Sequence, residues 1–127
     1  MKPKVLLVDD ETAVLSVNRR LIEHLGYDVE SFDDPLAALT AFSRNPDRFT
    51  AAILDVMTPG MPGHELGRRL REMRPDIPVL LATGFSELLP ADVASVLKPT
   101  AILHKPIPLD VLRSALENLA PPRRPHG

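Results

Sequence analysis

Five short apolar runs punctuate the chain, and four of them stop at or near a polar residue able to do chemistry. Val5 to Val8 ends at Asp9, Ala51 to Leu54 at Asp55, Val79 to Ala82 at Thr83, and Ala101 to Leu103 shortly before Lys105. The remaining run, Val29 to Phe32, is weaker and alternates apolar with polar residues. Continuous apolar runs of this length predict strands buried on both faces, as in a parallel sheet.

Between the runs, apolar residues recur at helical spacing. Val14, Leu15, Leu21, Ile22 and Leu25 predict a first helix that stops at Gly26. Leu36, Leu39 and Phe42 predict a second, with Asp34 as cap and Pro35 in its first turn, ending before Pro46. Leu66, Leu70 and Met73 form a third, after Gly63 and before Pro75. Glu87 to Leu97 predicts a short fourth helix with Pro90 in its first turn. Leu109, Leu112, Leu116 and Leu119, after Pro108, predict a fifth. Strands alternating with helices imply one α/β domain, a doubly wound five-stranded parallel sheet with five helices. Residues 1–120 form this domain, and 121–127, with Pro121, Pro122 and Pro125, form a flexible tail or linker stub.

Composition narrows the function. A chain of 127 residues is one domain, so one domain carries whatever the chain does. Its hydrophobic share of 44% and charged share of 25% are those of a water-soluble protein, with no run near the roughly 20 apolar residues that cross a bilayer. Lys2 and Lys4 precede Val5 to Val8, but two aspartates follow at once, which is not an export signal. The absence of cysteine excludes disulfides and thiolate chemistry and suits a cytoplasmic location. A net charge of −2, from 15 Lys+Arg against 17 Asp+Glu, gives no general pull toward nucleic acid or anionic membrane. The groups Arg19–Arg20, Arg68–Arg69–Arg71 and Arg123–Arg124 read as solvated faces. The four histidines, His24, His64, His104 and His126, are scattered over different elements and offer no metal or catalytic cluster.

In an open parallel sheet the carboxyl ends of the strands form one rim, where ligands bind at the point of strand-order reversal. That topology brings Asp9, Asp10, Asp55, Thr83 and Lys105 to one edge. Crowded carboxylates raise one another's pKa, so three of them need a cation or protons to persist at neutral pH. Oxygen donors without His or Cys favour a hard divalent ion, and Mg²⁺ suits a site that also holds waters and a phosphoryl oxygen. Lys105 supplies a compact positive charge and Thr83 a hydroxyl donor, both suited to a transferring phosphoryl group. Asp55, alone at the end of the central strand and followed by the Pro- and Gly-rich stretch Thr58 to Gly63, is the candidate nucleophile. Gly60 and Gly63 read as turn residues, and Met57 with Met61 as loop packing.

At these residues the chain resembles the response-regulator receiver family of two-component signalling, from Lys4 to about Leu119. Val8, Asp9, Asp10 and Glu11 resemble its acidic pair. Asp55, Val56, Met57, Pro59, Gly60, Met61 and Gly63 resemble its phosphoacceptor loop. Thr83–Gly84 resembles its hydroxyl position, and Lys105–Pro106 its lysine and following proline. The resemblance implies a flavodoxin-like fold with strand order 2-1-3-4-5. It implies Mg²⁺ held by Asp9, Asp10, Asp55 and the backbone carbonyl of Met57, and a cis bond before Pro106. It implies phosphoryl transfer to Asp55 from a histidine kinase or histidine phosphotransfer protein. Slow self-hydrolysis follows, and partner binding is switched, toward a downstream protein, a fused domain or a second copy on phosphorylation. A docking face drawn on the fourth helix, fifth strand and fifth helix would include Val93, Leu97, Ile102 and Leu112.

Three departures stand out. Ile102 occupies the position where the family commonly has an aromatic switch residue, so the usual inward turn of a ring has no ring to use. Thr58 stands where the family often has Met, and Phe85 is bulky enough to shield an acyl phosphate. Two other readings compete. An aspartyl-phosphate phosphohydrolase usually has an acid/base carboxylate two residues past its nucleophile, where this chain has Met57. A pure binding module, either a degenerate receiver or an FMN binder, is opposed by the complete acid, hydroxyl and lysine set and by the absence of a Ser/Thr-rich loop after the first strand.

Overall fold

A computed structural model describes residues 2–84 and 97–119. Five strands lie parallel in one sheet: β1 (Lys4–Val8), β2 (Asp28–Phe32), β3 (Phe49–Asp55), β4 (Val79–Thr83) and β5 (Ala101–His104). Their spatial order is β2-β1-β3-β4-β5. Each strand reaches slightly past its apolar run, because ladder bonds continue until the chain turns. The expected fourth helix, Phe85, Val93 and the tail at 121–127 lie outside the described residues.

Period-two alternation splits each apolar run between the sheet's two faces. Leu6, Val8, Ala52, Leu54, Val79 and Leu81 face one core. It is covered by α2 (Pro35–Arg44), which contributes Ala38 and Phe42, and by α3 (Gly63–Met73), which contributes Leu66 and Leu70. Val5, Leu7, Ala51, Ile53, Leu80, Ala82 and Leu103 face the other. That side is covered by Ile22 of α1 (Thr12–His24) and by Leu112 and Leu116 of the last described helix, Leu109–Glu117.

Local chemistry sets the helix ends. The Asp34 carboxylate accepts from the Ala37 N–H at 3.1 Å and caps α2. Gly26 stops the chain after α1 with φ +102°. Arg74 is extended, as befits a residue before proline, and ends α3.

Two expectations change here. Leu97 and Leu112, placed on a docking face, are buried at 4% and 0% exposure in opposite cores. Leu97 packs over Gly67, where a Cβ would lie 2.9 Å from its Cδ2. Arg71, read as part of a solvated face, instead turns its guanidinium onto the carbonyls of Ile77 and Lys98.

Gly63 is more than a turn residue. It starts α3 with its N–H on the Val56 carbonyl at 3.1 Å, and a Cβ there would run into the backbone carbonyl of Asp55. That obstacle is backbone, so it cannot rotate away. Gly63→Ala is expected to cost about 3 kcal/mol of stability, at the upper end of overpacking, against a helix-propensity gain of about 1 kcal/mol. Urea unfolding would show it, and a midpoint equal to the parent's would refute the close approach.

Candidate functional site

The pairing register places the rim residues. Val8 pairs with Leu54, so Asp9 and Asp55 continue side by side from the ends of β1 and β3. Asp55 in turn pairs with Ala82, which puts Thr83 one step beyond it on β4, and Thr83 pairs with His104, just before Lys105. Strand order reverses between β1 and β3, the position where open α/β sheets form their crevice.

The side chains converge as the strands do. Asp9 and Asp55 are each 2% exposed, whereas Asp10 faces solvent. Carboxylate oxygens of the three lie within 4.8 Å of one another. Lys105 Nζ donates to Asp55 Oδ1 at 3.1 Å and to Asp9 Oδ2 at 3.2 Å, and stands 4.0 Å from Glu11 Oε1. The Asp9 carboxylate also accepts from the Glu11 N–H at 2.9 Å, and the Asp55 carboxylate from the Met57 N–H at 3.4 Å. Thr83 is 1% exposed, and its carbonyl accepts from the Lys105 N–H at 2.8 Å. The Lys105–Pro106 peptide is cis. Ile102 lies on β5 away from these groups, 39% exposed, and His104 is exposed beside it.

The loop after Asp55 is tied to its own base. Thr58 is buried and its hydroxyl donates to the Asp55 carbonyl at 2.7 Å. Gly60 takes φ +88°, a conformation that favours glycine. The two methionines part company: Met61 packs into the core at 7% exposure, and Met57 stands out at 54%. Thr58 and Gly63 do their work through the Asp55 backbone, a role no residue-type pattern signals.

Electrostatics follow from this crowding. Burial and the neighbouring Asp9 charge push the Asp55 carboxyl up to about 6, although the Lys105 ammonium and the Met57 amide pull the other way. At Lys105, burial opposes the charge, yet hydrogen bonds and attraction from Asp55 and Asp9 outweigh it and raise its pKa. One lysine therefore does not neutralise the cluster. The uncompensated negative charge and the all-oxygen donor set fit a hard divalent cation held by Asp9, Asp10 and Asp55.

A groove of about 460 Å³ opens beside the site between α1 and the Lys105–Pro106 turn, lined by Glu11, Ala13, Val14, Val17 and Asn18 among others. Val17 is 57% exposed on its wall.

The raised Asp55 pKa has a defined effect on stability. Below about pH 3 the carboxyl is largely protonated folded and unfolded alike. As pH rises toward 6, the unfolded chain ionises first, so this group lowers stability across that window. In chelator, Asp55→Asn is expected to be more stable than the parent at pH 7 by about 1–2 kcal/mol, with the difference nearly gone by about pH 3. Urea titrations at both pH values measure it, and an equal gain at both would contradict the assignment.

Comparison with known proteins agrees with the rim chemistry. The family model for the response regulator receiver domain matches residues 5–117. Response regulator MprA of Mycobacterium leprae is 41% identical over 81 residues, 64% of this chain and 35% of that protein's length. The matched stretch thus spans about a third of that relative. The receiver protein CpdR of Brucella abortus is 28% identical over 91% of this chain and 95% of its own. Among solved structures, a response regulator receiver domain protein from Clostridium thermocellum superposes with a TM-score of 0.84 at 27% identity, covering 91% and 92% of the two chains. With the five-stranded fold and acidic rim already in place, the chain belongs to the response regulator receiver domain family, the phosphoacceptor modules of two-component signalling.

Proposed function

We propose that Asp55 takes a phosphoryl group from the phosphohistidine of a histidine kinase or histidine phosphotransfer protein in a Mg²⁺-dependent reaction. The observation that carries this reading is Lys105 Nζ, 3.1 Å from Asp55 and 3.2 Å from Asp9, in a carboxylate cluster it does not neutralise. An Asp55 carboxylate oxygen forms the new P–O bond while the donor's P–N bond breaks. Asp9, Asp10, Asp55 and the carbonyl of Met57 would hold Mg²⁺, which would supply positive charge to the phosphoryl oxygens. Lys105 then exchanges its bond with Asp55 for one with a phosphoryl oxygen, and the buried Thr83 hydroxyl donates to another. The hydroxyl comes from the end of β4, which adjoins β3, and the ammonium from just past β5 beyond it, so both meet the group from one side of Asp55.

A phosphohydrolase acting on outside substrates is less well supported, because Met57 provides no carboxylate at the position for acid/base work and exposes its side chain instead. A degenerate receiver would have lost part of the rim set, which is complete here. The reaction draws on ATP-derived phosphoryl groups, which suits a cytoplasmic location. Residues 1–120 act as the receiver and 121–127 as a tail or linker, with output passing to a downstream protein, a fused domain or a second phosphorylated copy. Ile102 offers no aromatic ring for the switch.

Two outcomes test the reading. With Mg²⁺ and beryllofluoride, backbone amide signals around residues 55–58 and 83 are expected to shift in the parent and remain still in Asp55→Ala; no Mg²⁺-dependent change in the parent would sink the proposal. A donor protein must deliver the imidazole nitrogen of its phosphohistidine over Asp55, so its surface lies on the neighbouring groove. Val17→Glu is therefore expected to slow transfer from a protein donor about tenfold or more by burying an unpaired charge, while a small acyl-phosphate donor modifies Asp55 at the parental rate.

A further inference from the structure

We infer that Arg71, on α3 and remote from the rim, is a positioning residue for phosphoryl transfer that acts through β5 on Lys105. The inference rests on the reading of Asp55 as phosphoacceptor.

Lys105 is the one rim group delivered by an edge strand. β5 is four residues long, has β4 as its neighbour in the sheet, and alternates between half-exposed and buried positions. Such a strand relies on Leu103 in the core, with Ala101 packed against it, to fix its register from within. A slip by one residue would move it about 3.3 Å and reverse every side chain between faces, carrying Nζ away from both carboxylates.

Register is also secured at both ends. At the rim, the Lys105 N–H meets the Thr83 carbonyl at 2.8 Å. Roughly 16 Å away, at about 3.3 Å per residue, Thr100 leads into the strand. Its N–H donates to the Val79 carbonyl at 2.7 Å, and its hydroxyl accepts from the Val79 N–H at 3.1 Å. Arg71 joins this end from outside the sheet. Its Nε donates to the Ile77 carbonyl at 3.1 Å, Nη1 to the Lys98 carbonyl, and Nη2 lies 3.4 Å from the Thr100 hydroxyl. One planar fork thus ties the residues leading into β4 to those leading into β5. Burial pulls the Arg71 pKa below its ordinary value, so the charge is held at a cost, against carbonyls and a hydroxyl that each take one arm of the fork.

The metal carboxylates sit on β1 and β3 and do not share this support, which separates Arg71's effect from general loosening. In the full chain, Arg71→Met keeps the apolar stem and removes the fork. It is expected to cut the rate of modification by a small acyl-phosphate donor about tenfold at saturating Mg²⁺, the scale of a modest misplacement. Calorimetric Mg²⁺ affinity should stay within about twofold, and exchange of the Lys105 amide hydrogen should speed up by about tenfold. Combined with Lys105→Ala, Arg71→Met should slow the reaction no further than Lys105→Ala alone. A folded Arg71→Met with parental rate, parallel loss of rate and Mg²⁺ affinity, or additive effects in the double variant would each overturn the inference. If Arg71→Met does not fold, Thr100→Val, which removes one arm's acceptor, is judged by the same measures. A parent that takes no phosphoryl group would refute the reading of Asp55, and the Lys105 amide exchange would then decide on Arg71 by itself.

Discussion

Two buried carboxylates sharing one ammonium is the constraint around which the rest of the domain is arranged. Asp9 and Asp55 are brought together by adjacent strands, and Lys105 is held between them from the far edge of the sheet. Proximity of like charges inside a protein is unfavourable unless other charge answers it. Burial first and the Asp9 charge second push the Asp55 carboxyl up to about 6, against the opposing pull of Lys105. A fold that carries this imbalance needs a firm scaffold beneath it. Two continuous cores, one on each face of the sheet, supply that firmness.

Much of this was legible in the sequence because it follows period and punctuation. Runs such as Val5 to Val8 could only be strands buried on both sides, and their polar terminators had to meet at one rim. Asp34 with Pro35 and Gly26 marked helix ends through local backbone chemistry that needs no partner from afar. What the sequence hid was long-range contact by residues whose type suggests something else. Arg71 looks like its neighbours Arg68 and Arg69, which do form exposed ion pairs with Glu65, yet its guanidinium turns to backbone carbonyls. Leu97 and Leu112 carry the same apolar signal whether a surface patch or a core claims them, and the core claims both. Gly63 resembles any loop glycine, and only the nearness of the Asp55 carbonyl shows that the position has no room for a side chain. The rim residues themselves converge as the topology demanded, while their chemical roles rest on the proposal.

Ile102 separates two questions that are often joined. In the proposed reaction the groups that would meet the phosphoryl group stand at the ends of β1, β3 and β4 and at Lys105, apart from the side chain of Ile102. Exposed on β5, Ile102 brings no aromatic ring to any route by which that strand would report the proposed modification.

The stretch from Val56 to Gly63 behaves as a closed ring. Its two ends meet through the Gly63 N–H and the Val56 carbonyl, and Thr58 fastens the inside to Asp55. Within the ring Thr58 and Met61 are buried and Gly60 and Gly63 are held by backbone geometry, whereas the Met57 side chain projects outward beside Asp55. Support and variation thus share one loop, and position 57 is where a side chain can differ beside Asp55 at little cost to the scaffold.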